Sequence, residues 1–427
     1  MKRCAFYTLG CKVNQYETQG IRESFIKAGY EEVRFDSPSD IYVINTCTVT
    51  AKTDKESRRL IRKLHRRNPL ARIIVTGCYV ELNEDKIKDI PGVCFIVKNK
   101  DKDKIIDIID SKEIHYTQSP NSVYLALTIS DFKDRTKAFL KVQDGCNNFC
   151  SYCKIPLVRG RSRSRDIEST VAEFKRLITK GFKEIVLTGI CIGAWGEDFT
   201  EKRCLIELLQ QLVSLEGDFR IRLSSIEPKY VNPYLVSLIE SSPKFCKHLH
   251  IPLQSGDDEI LKKMNRLYTA DRYINIIEMA RSKIPELSIT TDILVGFPGE
   301  TDENFRNTCG LIEKIRPLRV HIFSYSPREG TAARTLGREM PKDILKKRMS
   351  KMRDLTSHLS YNYRKYFLQK ETKVLVEQER DKRTGLLKGY DDKYIKVLLK
   401  GTDYYKSRII PVRIEKIEME STFGVIL

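Results

Sequence analysis

No run of roughly eighteen apolar residues occurs in this chain, so no segment reads as a helix able to cross a bilayer. The first residues, MKRCAFYTLGCK, are basic, but their apolar run is too short for a secretory signal. No lipidation motif is visible. The 12 Cys are scattered through 427 residues rather than densely paired. These absences argue against a disulfide-stapled secreted scaffold and predict no transmembrane helix. They leave a cytoplasmic chain whose cysteines hold metal or pack in cores. Acidic residues are in deficit, 57 Asp+Glu against 76 Lys+Arg, for a formal charge of +19. That balance favours a polyanionic partner, and without membrane signals nucleic acid leads. Simple solubility is the alternative use of the charge. A length of 427 residues suits about three domains.

The densest chemistry lies at Asp144–Lys154, DGCNNFCSYCK, directly after the apolar run KAFLKV. Cys146, Cys150 and Cys153 fall in a C-x3-C-x2-C spacing on one loop. A structural zinc ion would want a fourth Cys or His close by to close its tetrahedron. The next Cys is Cys191 and the next His is His248. A cubane iron–sulfur cluster needs a ligand on every iron, so three cysteines leave one iron open for a substrate or cofactor. A zinc site with a distant fourth ligand, or three buried structural thiols, are the alternatives.

Ahead of this loop, residues 1–110 alternate β-like runs (CAFYTL, DIYVINT, RIIVTG, VCFIV) with helical patterns. The alternation predicts a parallel sheet with helices on both faces, whose ligands collect at the carboxyl ends of the strands. Cys11, Cys47 and Cys78 each follow such a strand directly, so segments some thirty residues apart could bring three thiols to one rim. Cys4 and Cys94 sit inside strand patterns and read as packing residues. The helix from Lys52 to Asn68 carries Arg58, Arg59, Arg62, Lys63, Arg66 and Arg67, either a solvated face or a set of phosphate contacts.

Residues 111–135 are polar and read as a linker. From Lys137 to about Pro327 the alternation resumes as six β/α units, which predict a partial TIM-like barrel with chemistry at the strands' carboxyl ends. Polar residues expected there are Thr188, Gly189, Ser224, Ser225, Glu227, Gln254, Arg266 and Asp292. VRGRSRSR, with Arg159, Arg161, Arg163 and Arg165, reads as a flexible loop seeking phosphate or simply lying on the surface. Pro341 opens a long amphipathic helix. Residues 370–427 then switch to five short strands, predicting a small OB-like β-barrel. Lys388, Lys393, Lys396, Lys400, Lys406 and Arg408, interleaved with tyrosines, would suit unpaired RNA there, and a structural cap is the competing view.

The spacing in DGCNNFCSYCK, with Tyr152 in the aromatic slot before the third Cys, resembles that of the radical S-adenosylmethionine (SAM) superfamily. With LGCKVNQYE, INTCTVT and TGCYVEL added, the whole chain resembles the methylthiotransferases within it. The resemblance implies an N-terminal methylthiotransferase domain at 1–112, a (β/α)6 radical SAM core at 132–362 and a TRAM-like RNA-binding barrel at 366–427. It implies two 4Fe–4S clusters: an auxiliary one on Cys11, Cys47 and Cys78, and one on Cys146, Cys150 and Cys153 whose open iron is chelated by SAM. Of the polar strand-end residues, which otherwise serve as caps, Glu227 and Gln254 are the candidate SAM contacts together with Tyr152, and the resemblance implies that the GFPGE turn closes over the cofactor region. The implied reaction places a methylthio group on C2 of an adenosine beside the tRNA anticodon. One SAM methylates sulfur carried at the auxiliary cluster, and a second supplies the radical that removes hydrogen. An aromatic C–H has no acidic proton for base catalysis, which is why a radical is needed. The implied partners are tRNA and a low-potential electron donor of flavodoxin or ferredoxin type. Within the family, Lys12-Val13-Asn14-Gln15-Tyr16 resembles the threonylcarbamoyladenosine branch. Gln-Met-Asn marks the isopentenyl-adenosine branch, and Pro-Lys-Asn the ribosomal-protein branch. Those two substrates, and a non-catalytic iron–sulfur RNA-binding module, are the alternatives.

Overall fold

The first sheet is wholly parallel: β1 (Arg3–Thr8), β2 (Glu31–Glu32), β3 (Ile41–Thr46), β4 (Arg72–Gly77) and β5 (Val93–Val97), ordered β2-β1-β3-β4-β5. The computed structural model describes residues 1–110, 124–125, 127–132 and 135–427, so most of the expected linker lies outside the described residues. β3 is buried at every position, as a central strand covered on both faces must be. Alternate residues sort to opposite faces. Phe6, Ile41 and Val43 pack with Ile21 and Phe25 of helix α1 (Lys12–Lys27), whereas Tyr42, Ile44 and Ile73 pack with Ile61 and Leu64 of α2 (Ala51–Arg67). Each of these buried side chains contributes about 1.5–3 kcal/mol by leaving water. Thr50 caps α2 by accepting from the Thr53 N–H at 3.2 Å; Asp54 in its first turn and Arg66 and Arg67 in its last suit the helix dipole. Cys4 packs in this core, but Cys94 does not: it is exposed on β5, an edge strand with only one side paired.

The central unit runs through β6 (Ala138–Lys141), a short antiparallel pair β7 (Gln143–Asp144) and β8 (Arg163–Ser164), then β9 (Glu184–Thr188), β10 (Arg220–Leu223), β11 (His248–His250), β12 (Ser288–Val295) and β13 (Arg319–Ser324). Parallel sheets β10-β9-β6 and β11-β12-β13 are joined by the bridges Ile221↔Phe245 and Ser225↔His250. The result is a six-stranded open barrel, β6-β9-β10-β11-β12-β13. Leu140, Ile185, Leu187, Ile221, Leu249, Ile289 and Val320 face the helix-covered core. The intervening residues, among them Phe139, Lys141, Val186, Thr188, Arg222, His250, Asp292 and His321, therefore face the lumen.

The last five strands, β14 (Glu371–Val376), β15 (Leu387–Tyr390), β16 (Lys396–Leu399), β17 (Ile409–Ile417) and β18 (Thr422–Ile426), close as β14-β15-β16-β18-β17. Their β15–β16 turn plugs the floor of the central barrel. Arg220 donates to the Tyr390 carbonyl at 2.8 Å, and Arg222 to those of Asp391 and Asp392 at 2.9 and 3.1 Å. Tyr394, held at φ 70°, stacks on Tyr390 at 5.0 Å and lies 4.7 Å from the Arg222 guanidinium. The helix Lys342–Lys365 ties the units together. Its Arg348 holds Glu300 and Asp302 at 2.6 Å, and its Arg364 donates to the carbonyls of Glu418 and Ser421 at 3.0 Å. The basic face expected for RNA is mostly neutralised here. Lys388, Lys396 and Lys406 pair with Glu379, Asp381 and Asp403, and Lys393 with Glu286 and Asp392. Arg408 stacks on Tyr404 at 3.9 Å, and Lys400 is exposed.

Candidate active site

Gly10 and Gly77 decide how the first three cysteines meet. Both have left-handed φ, 98° and 100°, at the ends of β1 and β4. A Cβ on Gly10 would stand 2.8 Å from Cys47 Sγ, and one on Gly77 2.3 Å from the Thr46 carbonyl oxygen. Only glycine lets the chain turn there while Cys11, Cys47 and Cys78 gather at one rim. Cys11 is exposed, and Cys47 and Cys78 are buried. Burial, with Cys78 and Cys11 close by, pushes the Cys47 thiol up to about 12. Burial also raises Cys78, against the pull of Arg159.

The second triad sits on the loop after β7. The Asn148 N–H points at Cys146 Sγ at 3.4 Å, the Ile155 N–H at Cys153 Sγ at 3.5 Å and the Arg266 guanidinium at Cys150 Sγ at 3.3 Å. Burial pushes Cys153 up to about 12. Gln143 anchors the loop by donating to the carbonyls of Asp144 and Gly145 at 2.8 and 2.7 Å. Its own carbonyl accepts from the Cys191 N–H at 2.7 Å. That contact brings Cys191 beside Cys146, whose thiol it lowers to about 7 by hydrogen bonding. Its distance along the chain hides this proximity of Cys191 in the sequence.

As their side chains stand, neither triad is compact enough for a single tetrahedral ion. Tetrahedral zinc with Zn–S of about 2.3 Å needs sulfurs only ~3.8 Å apart. Among the described residues, one group of three potential ligands has all its atoms within 4.8 Å of one another, and it is His250, Asp292 and His321 on the lumen side. Wider-set sulfurs, each triad with an arginine donating to one of them, suit a cubane whose thiolates carry negative charge.

Arg159 links the two triads. Its Nε donates to Cys78 Sγ at 3.2 Å, its NH1 reaches Glu17 at 2.8 Å and Asp144 at 3.1 Å, and its NH2 donates to Asn14 at 2.6 Å. Lys141 bridges the same two carboxylates at 2.8 and 2.7 Å, and Lys102 pairs with Glu17. Burial alone would raise Asp144, but Arg159 and Lys141 outweigh it and hold its carboxyl down at about 2. The expectation of a phosphate-seeking loop is thus overturned for Arg159 and Arg165. Arg165 is buried against Glu173 at 2.8 Å and Tyr16 at 3.2 Å. Arg163 is half-buried with its NH2 on the Arg159 carbonyl, and Arg161 is exposed over the Phe149 ring. Packing against the first domain fixes these contacts, and an Arg-Ser alternation carries no trace of it.

The other expected residues line the mouth of the barrel. Glu227 accepts from Arg266 NH2 at 2.5 Å. Gln254, at φ 69°, continues the sheet by donating its N–H to the Asp292 carbonyl at 2.8 Å. Tyr152 meets Phe297 of GFPGE edge to face at 6.4 Å. The Ser224 hydroxyl oxygen is buried with no hydrogen-bond partner among the described residues, an open position for a polar ligand group. Thr188 ends β9 on the lumen side, Gly189 abuts Gln143, and Ser225 pairs with His250. On α2, Lys52, Lys55, Arg59, Arg62, Lys63, Arg66 and Arg67 all face solvent, and Arg58 instead donates to the Tyr79 hydroxyl.

Residues 140–312 match the Radical SAM superfamily, and residues 3–98 match Uncharacterized protein family UPF0004. The threonylcarbamoyladenosine tRNA methylthiotransferase MtaB of Bacillus subtilis (strain 168) is 40% identical over 428 residues, covering 97% of this chain and 94% of that protein. The tRNA-2-methylthio-N(6)-dimethylallyladenosine synthase of Fusobacterium nucleatum subsp. nucleatum is 32% identical, with 100% of each chain covered. Among solved structures, the radical S-adenosylmethionine methyltransferase TsrM of Kitasatospora setae aligns with TM-score 0.58 at 14% identity, over 78% of this chain and 77% of that one. That last likeness is one of fold.

Proposed function

Because the chain belongs to the radical SAM tRNA methylthiotransferases, we propose that it places a methylthio group on C2 of N6-threonylcarbamoyladenosine beside the tRNA anticodon. The observation that carries this reading is the identity of 40% to a threonylcarbamoyladenosine enzyme, against 32% to a dimethylallyladenosine enzyme, each over nearly the whole chain. SAM and 4Fe–4S iron–sulfur clusters are the cofactors. Cys146, Cys150 and Cys153 hold the SAM-binding cluster, and Cys11, Cys47 and Cys78 the auxiliary one. When bound, these groups supply the electron, the hydrogen-abstracting radical and the sulfur that an aromatic C–H requires.

The protein's own contribution is positioning and shielding. Arg266 and Arg159 each donate to one sulfur of a triad and offset the charge that three thiolates bring. Ser224, Gln254 and Glu227 offer polar contacts for SAM at the barrel mouth, with Tyr152 packed beneath. The C-terminal plug at the barrel floor keeps water from entering the lumen from below. The exposed cations of α2 meet tRNA phosphates. The units 1–112, 132–362 and 366–427 divide this work into sulfur delivery, radical generation and closure of the barrel. A low-potential flavodoxin or ferredoxin supplies electrons, and the enzyme works in the cytoplasm.

Nucleoside mass spectrometry of tRNA from a deletion strain tests the reading. The expected result is loss of the 2-methylthio form of threonylcarbamoyladenosine, with its unmethylthiolated precursor accumulating. Loss of the methylthio isopentenyl nucleoside instead, or an unchanged tRNA profile, overturns it.

A further inference from the structure

We propose that Lys12 and Gln15, one turn apart on α1, form the seat that reads the N6 substituent of the substrate, Lys12 its carboxylate and Gln15 its hydroxyl or N–H. The inference rests on threonylcarbamoyladenosine being the substrate. It starts from a cavity of about 540 Å³ where the three units meet, lined among others by Lys12, Gln15, Phe139, Val186, Lys137 and Tyr394. Phe139 and Val186 are lumen residues one inward-facing position below Lys141 and Thr188, the last residues of their strands. The cavity therefore reaches from the seam between the first domain and the last barrel into the lower part of the lumen, and α1 forms one of its walls.

Most cations facing this space are already matched. Arg222 is bonded to Glu184 at 2.8 Å, Lys137 to Glu377 at 3.2 Å, Arg22 to Glu32 at 2.8 Å and Lys388 to Glu379 at 3.6 Å. Lys12 is half-buried and has neither a hydrogen bond nor an ion pair among the described residues. Arg222 and Lys137 line the same cavity and add repulsion, and Glu184 there is already held by Arg220 and Arg222. A partly desolvated cation without a counter-ion is costly, and an anion entering the cavity removes that cost. Gln15 supplies the second, independent observation: its Oε1 is buried, lines the same cavity and has no donor among the described residues. Residues at i and i+3 share a helix face, so the unmatched positive charge and the unmatched acceptor are neighbours.

The threonylcarbamoyl group carries the complement, a carboxylate together with hydroxyl and N–H donors. Its attachment also suits the geometry. Cys11, one residue before Lys12, belongs to the first triad at the rim, where C2 has to lie for sulfur to reach it. C2 and C6 flank N1 in the ring and their outward bonds diverge, so with C2 at the rim the N6 substituent runs down the lumen toward Lys12. An isopentenyl group there would leave both polar groups unsatisfied, the condition under which sites reject analogues most strongly.

The test uses reconstituted full-length enzyme and anticodon stem-loop RNAs carrying threonylcarbamoyladenosine, its neutral methyl ester or isopentenyl-adenosine. Wild type is expected to prefer the acid over the ester by roughly tenfold or more in kcat/KM, the usual worth of a charge-assisted contact. Lys12→Met should lose that preference by slowing on the acid alone, and Lys12→Arg should retain it, which separates the effect from misfolding. Gln15→Leu should slow both acid and ester. An unchanged acid-to-ester ratio in Lys12→Met overturns the inference while leaving the substrate reading intact. An equal loss on acid and ester assigns Lys12 to an RNA phosphate and overturns it too. Failure of wild type to modify the acid RNA, with turnover on isopentenyl-adenosine, overturns the substrate reading itself.

Discussion

Arg159 Nε lies 3.2 Å from Cys78 Sγ while the NH1 of the same guanidinium holds Asp144, at the start of the loop that carries Cys146, at 3.1 Å. One side chain therefore sets the relative position of two cysteine groups from different domains. Arg159→Ala leaves Glu17 and Asp144 buried with one fewer counter-charge, at an expected cost of about 3–5 kcal/mol. Arg159→Lys should not rescue it, because an ammonium cannot span sulfur, two carboxylates and Asn14 at once. Thermal unfolding, with iron content measured on the folded fraction, checks both statements.

Glu184 governs the acid limb of stability. Burial pushes its carboxyl up, but Arg222, Lys137 and Arg220 prevail and hold it well below 4.5. A carboxylate depressed in the folded state stabilises above its unfolded value and loses that contribution as pH falls through the folded one. Glu184→Gln should therefore destabilise strongly at pH 7, and the gap to wild type should narrow steadily as pH drops below 4.5. Urea unfolding of both proteins at several pH values measures the gap. A gap constant with pH would contradict the assignment.

The C-terminal barrel is expected to behave as a structural plug. Tyr394→Ala should cost up to about 3 kcal/mol, the scale of removing a packed aromatic. Deleting residues 366–427 exposes the donors of Arg220 and Arg222 and should lower the unfolding temperature of the remainder. A truncated chain as stable as the full one would overturn this.

Salt dependence of RNA binding locates the phosphate contacts. Replacing Arg59, Arg62 and Arg66 with Ala should make the slope of log affinity against log salt shallower by about 2–3, at roughly 0.7–0.9 per lost contact. Replacing Lys388, Lys393 and Lys396, whose charges are matched within the protein, should change it far less. Filter binding across a salt series separates the two.

That Cys11, Cys47 and Cys78 come to one rim could be expected from the sequence, because each follows a strand run directly and parallel sheets gather such positions at one edge. The three-unit architecture was legible from the switch between strand–helix alternation and short strands. What the chain order concealed was set by contacts between units. VRGRSRSR reads as a solvent loop, yet Arg159 and Arg165 are buried because first-domain residues Glu17 and Tyr16 receive them. Cys191 is 45 positions from Cys146 in sequence, and only the Gln143 contact reveals it as a neighbour. The ion pairs of the last barrel's lysines were hidden in the sequence because their acidic partners, such as Asp381 and Glu286, are distant along the chain or on another unit.

The division of labour between the triads is the central claim, and triple substitution of Cys11, Cys47 and Cys78 by Ala measures it. The expected protein holds about half the wild-type iron, as two equal clusters require. It should still cleave SAM to 5′-deoxyadenosine and should form no methylthio product on tRNA. Wild-type iron content with continued methylthio transfer would mean that those three cysteines are structural thiols, and would contradict the account.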